Sequence, residues 1–109
     1  MTRTTRGGLL FVSGQTPVAA DGTVPEGAAA QTRVVLDRVH ALLGEHGASW
    51  DAVVKVTYFL RDIGDLADVR EVLTDVLPEP RPAASLVEVS GLIDPRFLVE
   101  IEAVADLGA

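Results

Sequence analysis

Residues Val53 to Leu60 read V-V-K-V-T-Y-F-L, and no other segment limits the fold as sharply. Val54, Val56, Tyr58 and Leu60 alternate with Lys55, Thr57 and Phe59, so β-branched and aromatic side chains cover both faces of an extended chain. A strand of this kind belongs in the interior of a sheet, with neighbours on both edges and another layer packed over it. The chain has 109 residues, enough for one compact core and no second domain, so residues 1–109 are expected to form a single unit.

The segments on either side supply the partners. Leu9 to Val12 is a short apolar run ending at Ser13-Gly14, and the Asp21-Gly22 turn signal precedes Thr23-Val24, which predicts an opening β-hairpin. After Pro25 and Gly27, the residues Val35, Leu36, Val39, Leu42 and Leu43 recur at the spacing of a helix packed on one side, with Gly44 and Gly47 as its stop signal. Asp65 is a good N-cap for a second helix, with Asp68 favouring its start. Leu66, Val69, Leu73 and Val76 mark its buried face, and it ends near Pro78. Beyond the stiff Pro78–Pro82 connector, Ser85 to Ser90 and Leu98 to Val104 alternate as two final strands. Hairpin, helix, strand, helix, strand, strand makes one sheet with two helices on one face, an α+β layer architecture.

Two helices cover only one face of that sheet. In the last strand Val99, Ile101 and Ala103 suit the helices, while Leu98, Glu100, Glu102 and Val104 share the opposite face, and Leu86, Glu88 and Ser90 form a similar mixed row. Rows that mix large apolar residues with carboxylates are neither a core nor a solvent face. This side is expected to pack against identical subunits, with ligand clefts between protomers.

Composition narrows the function classes. The formal net charge is −7 with no basic stripe, which disfavours nucleic acid and anionic membranes as partners. There is no cysteine, so disulfides, thiolate nucleophiles and cysteine-ligated metals are excluded. The four apolar residues from Leu9 are too few for a signal-peptide core or a membrane span, and the expected location is the cytoplasm.

Ser13-Gly14-Gln15-Thr16-Pro17, Gln31-Thr32, Val54-Lys55-Val56-Thr57 and Glu100-Ile101-Glu102-Ala103 resemble, in that order and across nearly the whole chain, the signatures of the RidA/YjgF (reactive intermediate deaminase) family. The resemblance implies a chorismate-mutase-like fold, mostly antiparallel, assembled as a homotrimer with clefts at the subunit interfaces. Archetypal members hydrolyse enamines and imines: an arginine in a Pro-Ala-Arg-Ser motif holds the substrate carboxylate, and a strand glutamate positions the attacking water. Here the motif reads Pro82-Ala83-Ala84-Ser85, so Ala84 stands at the arginine's position. A guanidinium–carboxylate pair worth about 1.5–3 kcal/mol is thereby missing. The family's Gly-Pro-Tyr segment has no counterpart at the N-terminus, and Arg70 occupies the helix position of a cleft asparagine. Ser13, Gly14 and Ser85 match ligand-contacting positions, and Glu100 matches the water-positioning glutamate.

Each candidate has a plainer reading beside the functional one. Glu100, flanked by apolar Leu98 and Val104, would have its pKa raised and could handle a proton, or it is a solvated strand carboxylate. Glu102, about 6.6 Å further along, is ordinary strand spacing. Arg70 could return a cation to the cleft, or it is an exposed helix arginine. His40 and His46 lie about 240° apart around a helix, which suits neither a zinc pair nor a triad, and no glycine-rich phosphate loop is present. No metal or cofactor is expected. A diverged imine- or enamine-processing enzyme and a non-catalytic binding trimer both remain open, whereas ribonuclease activity is disfavoured by the acidic charge and the lack of a histidine acid–base pair.

Overall fold

The computed structural model describes residues 1–108. Its elements are β1 (Thr2–Thr4), β2 (Leu9–Gln15), α1 (Ala28–Glu45), β3 (Val53–Leu60), α2 (Leu66–Val76), β4 (Ala83–Glu88) and β5 (Val99–Asp106). The five strands form one sheet in the order β1-β2-β5-β3-β4, antiparallel except for the β3–β4 pair. That pair is parallel because α2 carries the chain back to the starting edge of the sheet. The V-V-K-V-T-Y-F-L segment is interior, between β5 and β4, as its two-sided character requires.

Both helices lie on one face. Val35, Leu36, Val39 and Leu43 of α1 and Val69, Val72 and Leu73 of α2 are buried against Leu10, Val12, Val56, Tyr58, Leu60, Val99, Ile101, Ala103 and Ala105 of the sheet. Each large aliphatic side chain buried in this way contributes about 1.5–3 kcal/mol, so this single layer contact holds the fold together. At the end of α1 the Ala48 amide bonds the Leu43 carbonyl and the Gly47 amide bonds that of Gly44, at 3.0 and 3.1 Å. Gly47 has φ +70°, the left-handed closure that glycine supplies at least cost.

Four expectations need correction. The opening hairpin is β1–β2, turned at Thr5–Gly8, and not a pairing of Leu9–Val12 with Thr23-Val24. Around Asp21-Gly22 the polar groups close on themselves: Thr23 donates its amide and hydroxyl to the Asp21 carboxylate, and the Ala19 amide bonds the Thr23 carbonyl, leaving nothing for a ladder. Thr2–Thr4 is short and polar and carries no periodic strand signal. Asp65 occupies the N-cap position of α2 as expected but makes no side-chain cap; the capping bond lies in the 3-10 turn before it, where the Asp62 carboxylate accepts from the Gly64 amide at 2.8 Å. Val54 is exposed, because a bulge between Val53 and Lys55 puts Val53 on the buried face with Val56. Leu86 and Glu88 pair with Tyr58 and Leu60, so that row lies on the helix side. In β4 the residues on the open face are Ala83, Ser85 and Val87, beside Lys55, Thr57 and Phe59.

Candidate functional site

The open face of the sheet carries Leu9 and Phe11 from β2, Glu100, Glu102 and Val104 from β5, Lys55, Thr57 and Phe59 from β3, and Ser85 and Val87 from β4. Leu9, Phe11 and Val87 are exposed, whereas Phe59 and Val104 are half-buried. The mixed character expected of the β5 row is therefore present across four strands.

Glu100 and Gly14 meet on this face. β2 and β5 slip register between Val12 and Gln15, and Gly14 lies in the slipped stretch. The Glu100 side chain leans across it: a Cβ on Gly14 would stand 2.8 Å from the Glu100 carboxyl carbon and closer still to one of its oxygens. Glycine at 14 is thus what lets the carboxylate lie down on the backbone. Burial pushes the Glu100 carboxyl up from its ordinary range, and the neighbouring Glu102 charge pushes the same way. The direction is that expected from apolar surroundings, and the ordinary strand spacing to Glu102 adds to it.

Ser13 stands beside this pair, with its hydroxyl and amide both donated to the Met1 carbonyl, at 2.8 and 3.0 Å. Two depressions flank Glu100 along β5. One, about 250 Å³, is lined by Met1, Arg3, Phe11, Ser13, Glu102 and Val104 among others. The other, about 300 Å³, lies at the strand's mouth between Val24–Gly27, Gln31, Arg96 and Leu98.

The remaining candidates lie elsewhere. Ser85 is on the open face but two strands from Glu100, and its hydroxyl accepts from Lys55 Nζ at 2.8 Å. Ala84 pairs with Val56, so its methyl points to the helix side of the free edge strand, opposite to Glu100. Arg70 is exposed on α2, and its side chain has no hydrogen bond or ion pair among the described residues. The histidines serve separate local contacts: His40 stacks on Trp50 at 6.0 Å, and His46 Nε2 lies 3.2 Å from Thr2 Oγ1.

Two residues gain roles that sequence alone did not give. Gln31 is 2 % exposed. Its amide nitrogen donates to the Pro25 and Arg96 carbonyls at 3.0 and 2.9 Å, and its oxygen accepts the Leu98 amide at 2.7 Å. The Gln31 of the Gln-Thr motif is therefore a clamp that fixes the lead into β5, while Thr32 bonds back to the Ala28 carbonyl at 2.7 Å. A glutamine in the apolar stripe of α1 was the available signal. Lys55 is the second, and no local pattern announces it, because its partner depends on the β3–β4 register.

Residues 2–107 match the family model described as Endoribonuclease L-PSP. A RutC family protein of Pyrococcus abyssi is 41 % identical over 91 % of this chain and 79 % of its own length. The 3-aminoacrylate deaminase RutC of Acinetobacter baylyi is 38 % identical over 89 % of this chain and 78 % of that protein. The crystal structure of RidA from an Antarctic Psychrobacter superimposes with a TM-score of 0.91 at 31 % identity, covering 96 % of this chain and 85 % of that one. With a family model spanning almost every described residue and the fold reproduced at that closeness, the chain belongs to the Endoribonuclease L-PSP family, that of RidA and YjgF.

Proposed function

We propose that this protein is a diverged RidA-like enzyme of the cytoplasm, working as a homotrimer, that hydrolyses an imine, enamine or related carbonyl-type metabolite in a cleft between subunits. The observation that carries this reading is the Glu100 carboxylate laid over Gly14, half-buried and with its pKa raised. A carboxylate made more basic by its surroundings is a better proton acceptor. It takes a proton from water as the water oxygen adds to the C=N carbon and passes it to nitrogen, giving a carbinolamine; it then takes the hydroxyl proton and passes that to nitrogen as the C–N bond breaks, releasing ammonia and leaving a carbonyl. The name of the Acinetobacter relative, a deaminase, favours the same reaction class.

The substrate is not the archetypal 2-imino acid. Ala84 has no charge to hold a carboxylate next to the reacting carbon. It also faces away from Glu100 within one chain, so the two could line a common cleft only from different copies.

Imines generated in situ, with ammonia release followed, test the mechanism. Wild-type protein should accelerate hydrolysis of imines lacking an adjacent carboxylate, and Glu100→Gln should lower the rate by about 100-fold or more, the usual scale for a lost acid–base group. An unchanged rate in the variant discards Glu100, and rapid turnover of 2-imino acids discards the reading of Ala84. The second reading, a metabolite- or partner-binding trimer without turnover, is favoured by the loss of the cation at position 84. Saturable binding with no product in any assay would select it.

A further inference from the structure

Lys55 and Ser85 form a cross-strand pair on the open face, and it is unusual in what it leaves over. Lys55 Nζ donates to Ser85 Oγ at 2.8 Å, and neither side chain has another hydrogen bond or ion pair among the described residues. An ammonium has three N–H groups and a hydroxyl has one O–H. With the serine oxygen already accepting, its own proton must point elsewhere, and two lysine protons are likewise free. The pair is left with three unused N–H and O–H protons and a positive charge, in a chain with 16 acidic and 9 basic residues. No carboxylate has been recruited to it: Glu102 lies one strand over, beside Thr57, and is not bonded to Lys55. Ser85 is exposed, and Ala83 is its small neighbour on the same face of β4.

We propose that Lys55 and Ser85 receive the anionic group of the ligand whose reacting carbon is presented to Glu100. This rests on the enzymatic role of Glu100 and adds a substrate class to it. Phe59 pairs with both Glu100 and Val87, so Ser85 lies two strands and two residues from Glu100. That places their Cα atoms about 12 Å apart. The Glu100 carboxylate leans further off, toward Gly14. Allowing about 3 Å for the polar contact at each end, roughly 6 Å or more separates the anionic group from the reacting carbon. Spanning that distance takes at least about five bonds of extended chain. A 2-imino acid, whose carboxyl carbon is attached directly to the imine carbon, cannot reach both ends. The ligand is an imine or carbonyl compound with a distal acidic group, running over Phe59 and Thr57.

Stable ketones stand in for the imine. Pyruvate, 4-oxopentanoate, 6-oxoheptanoate and the uncharged 2-heptanone are titrated by calorimetry against wild type, Lys55→Met and Ser85→Ala. 6-Oxoheptanoate should bind wild type about tenfold or more tighter than pyruvate, and Lys55→Met should weaken it about tenfold while leaving 2-heptanone unchanged. Ser85→Ala should weaken it by a few fold. Equal or tighter binding of pyruvate, indifference of 6-oxoheptanoate to Lys55→Met, or failure of the whole series to bind overturns the proposal. Binding that depends on Lys55 with no imine turnover by wild type removes the enzymatic role and keeps the anion site. Turnover that needs Glu100 but ignores Lys55 does the opposite.

Discussion

A methyl group at position 14 would land in the Glu100 carboxylate, yet the backbone there is not in the left-handed region, so alanine could adopt the conformation without strain. The collision is with the far end of a flexible side chain, which can swing away into water. Gly14→Ala should therefore separate folding from chemistry. Its melting temperature should stay within about 4 °C of wild type, the shift expected of a change near 1 kcal/mol, while imine hydrolysis falls about tenfold or more. The pH profile gives a sharper sign. A base must be ionised to act, so its rate is lost as pH falls through its pKa. Because burial and Glu102 raise the Glu100 pKa, the acidic limb of wild type should lie above the ordinary carboxylate range. Moving the carboxylate into water removes the larger of those causes, so the limb in Gly14→Ala should shift to lower pH. A limb that does not move would mean that Gly14 is not what holds Glu100 in its desolvated position.

Among the elements, α1 is tied to the lead into β5 by one side chain. Gln31 ties the Pro25 and Arg96 carbonyls and the Leu98 amide together from a buried position. Gln31→Leu keeps the bulk but orphans buried polar groups, each costing about 1–3 kcal/mol. The variant should lose about 2–4 kcal/mol in denaturant melts, and a loss below about 1 kcal/mol would show that water replaces the clamp. Periodicity made the elements on which Gln31 acts legible: the stripe of α1, the buried face of α2 and the interior place of β3 follow from spacing alone. The sheet's register did not, because it is fixed by long-range pairing and by two bulges. The slip at Val53–Lys55 moved Val54 to the surface, and the parallel β3–β4 pairing turned Leu86 and Glu88 to the helix side. For the same reason the motif matches singled out Glu100, Gly14 and Ser85 without their faces: the expected row of Leu86, Glu88 and Ser90 beside Glu100 implies Ala84 on the open face and Ser85 on the other, the reverse of what the β3–β4 register gives. Lys55 came into view only through a contact 30 residues away along the chain.

For the whole molecule, the open face is the surface on which the proposed trimer depends. Phe11 is 46 % and Val87 43 % exposed, with Phe59 and Val104 half-buried between them. Two apolar pairs, Phe11 with Val104 and Phe59 with Val87, separated by the row of Glu102, Thr57 and Ser85, make a mixed surface suited to a face shared among identical chains. Trimer formation can be tested at its centre. Val104 pairs with Phe11 on one side and Lys55 on the other, and its side chain is not part of the core beneath the helices. Val104→Glu should leave the fold intact by circular dichroism but place a third carboxylate beside Glu102 and Asp106, in surface that would have to be desolvated on association. In sedimentation velocity, wild type should run at three times the mass of the chain and the variant at the mass of one. Imine hydrolysis should vanish with the assembly although Glu100, Gly14 and Ser13 are untouched. If the variant is monomeric and fully active, the cleft is built from one chain. If wild type itself sediments as a monomer, the open face meets water after all, and the chemistry assigned to Glu100 must proceed without a second subunit.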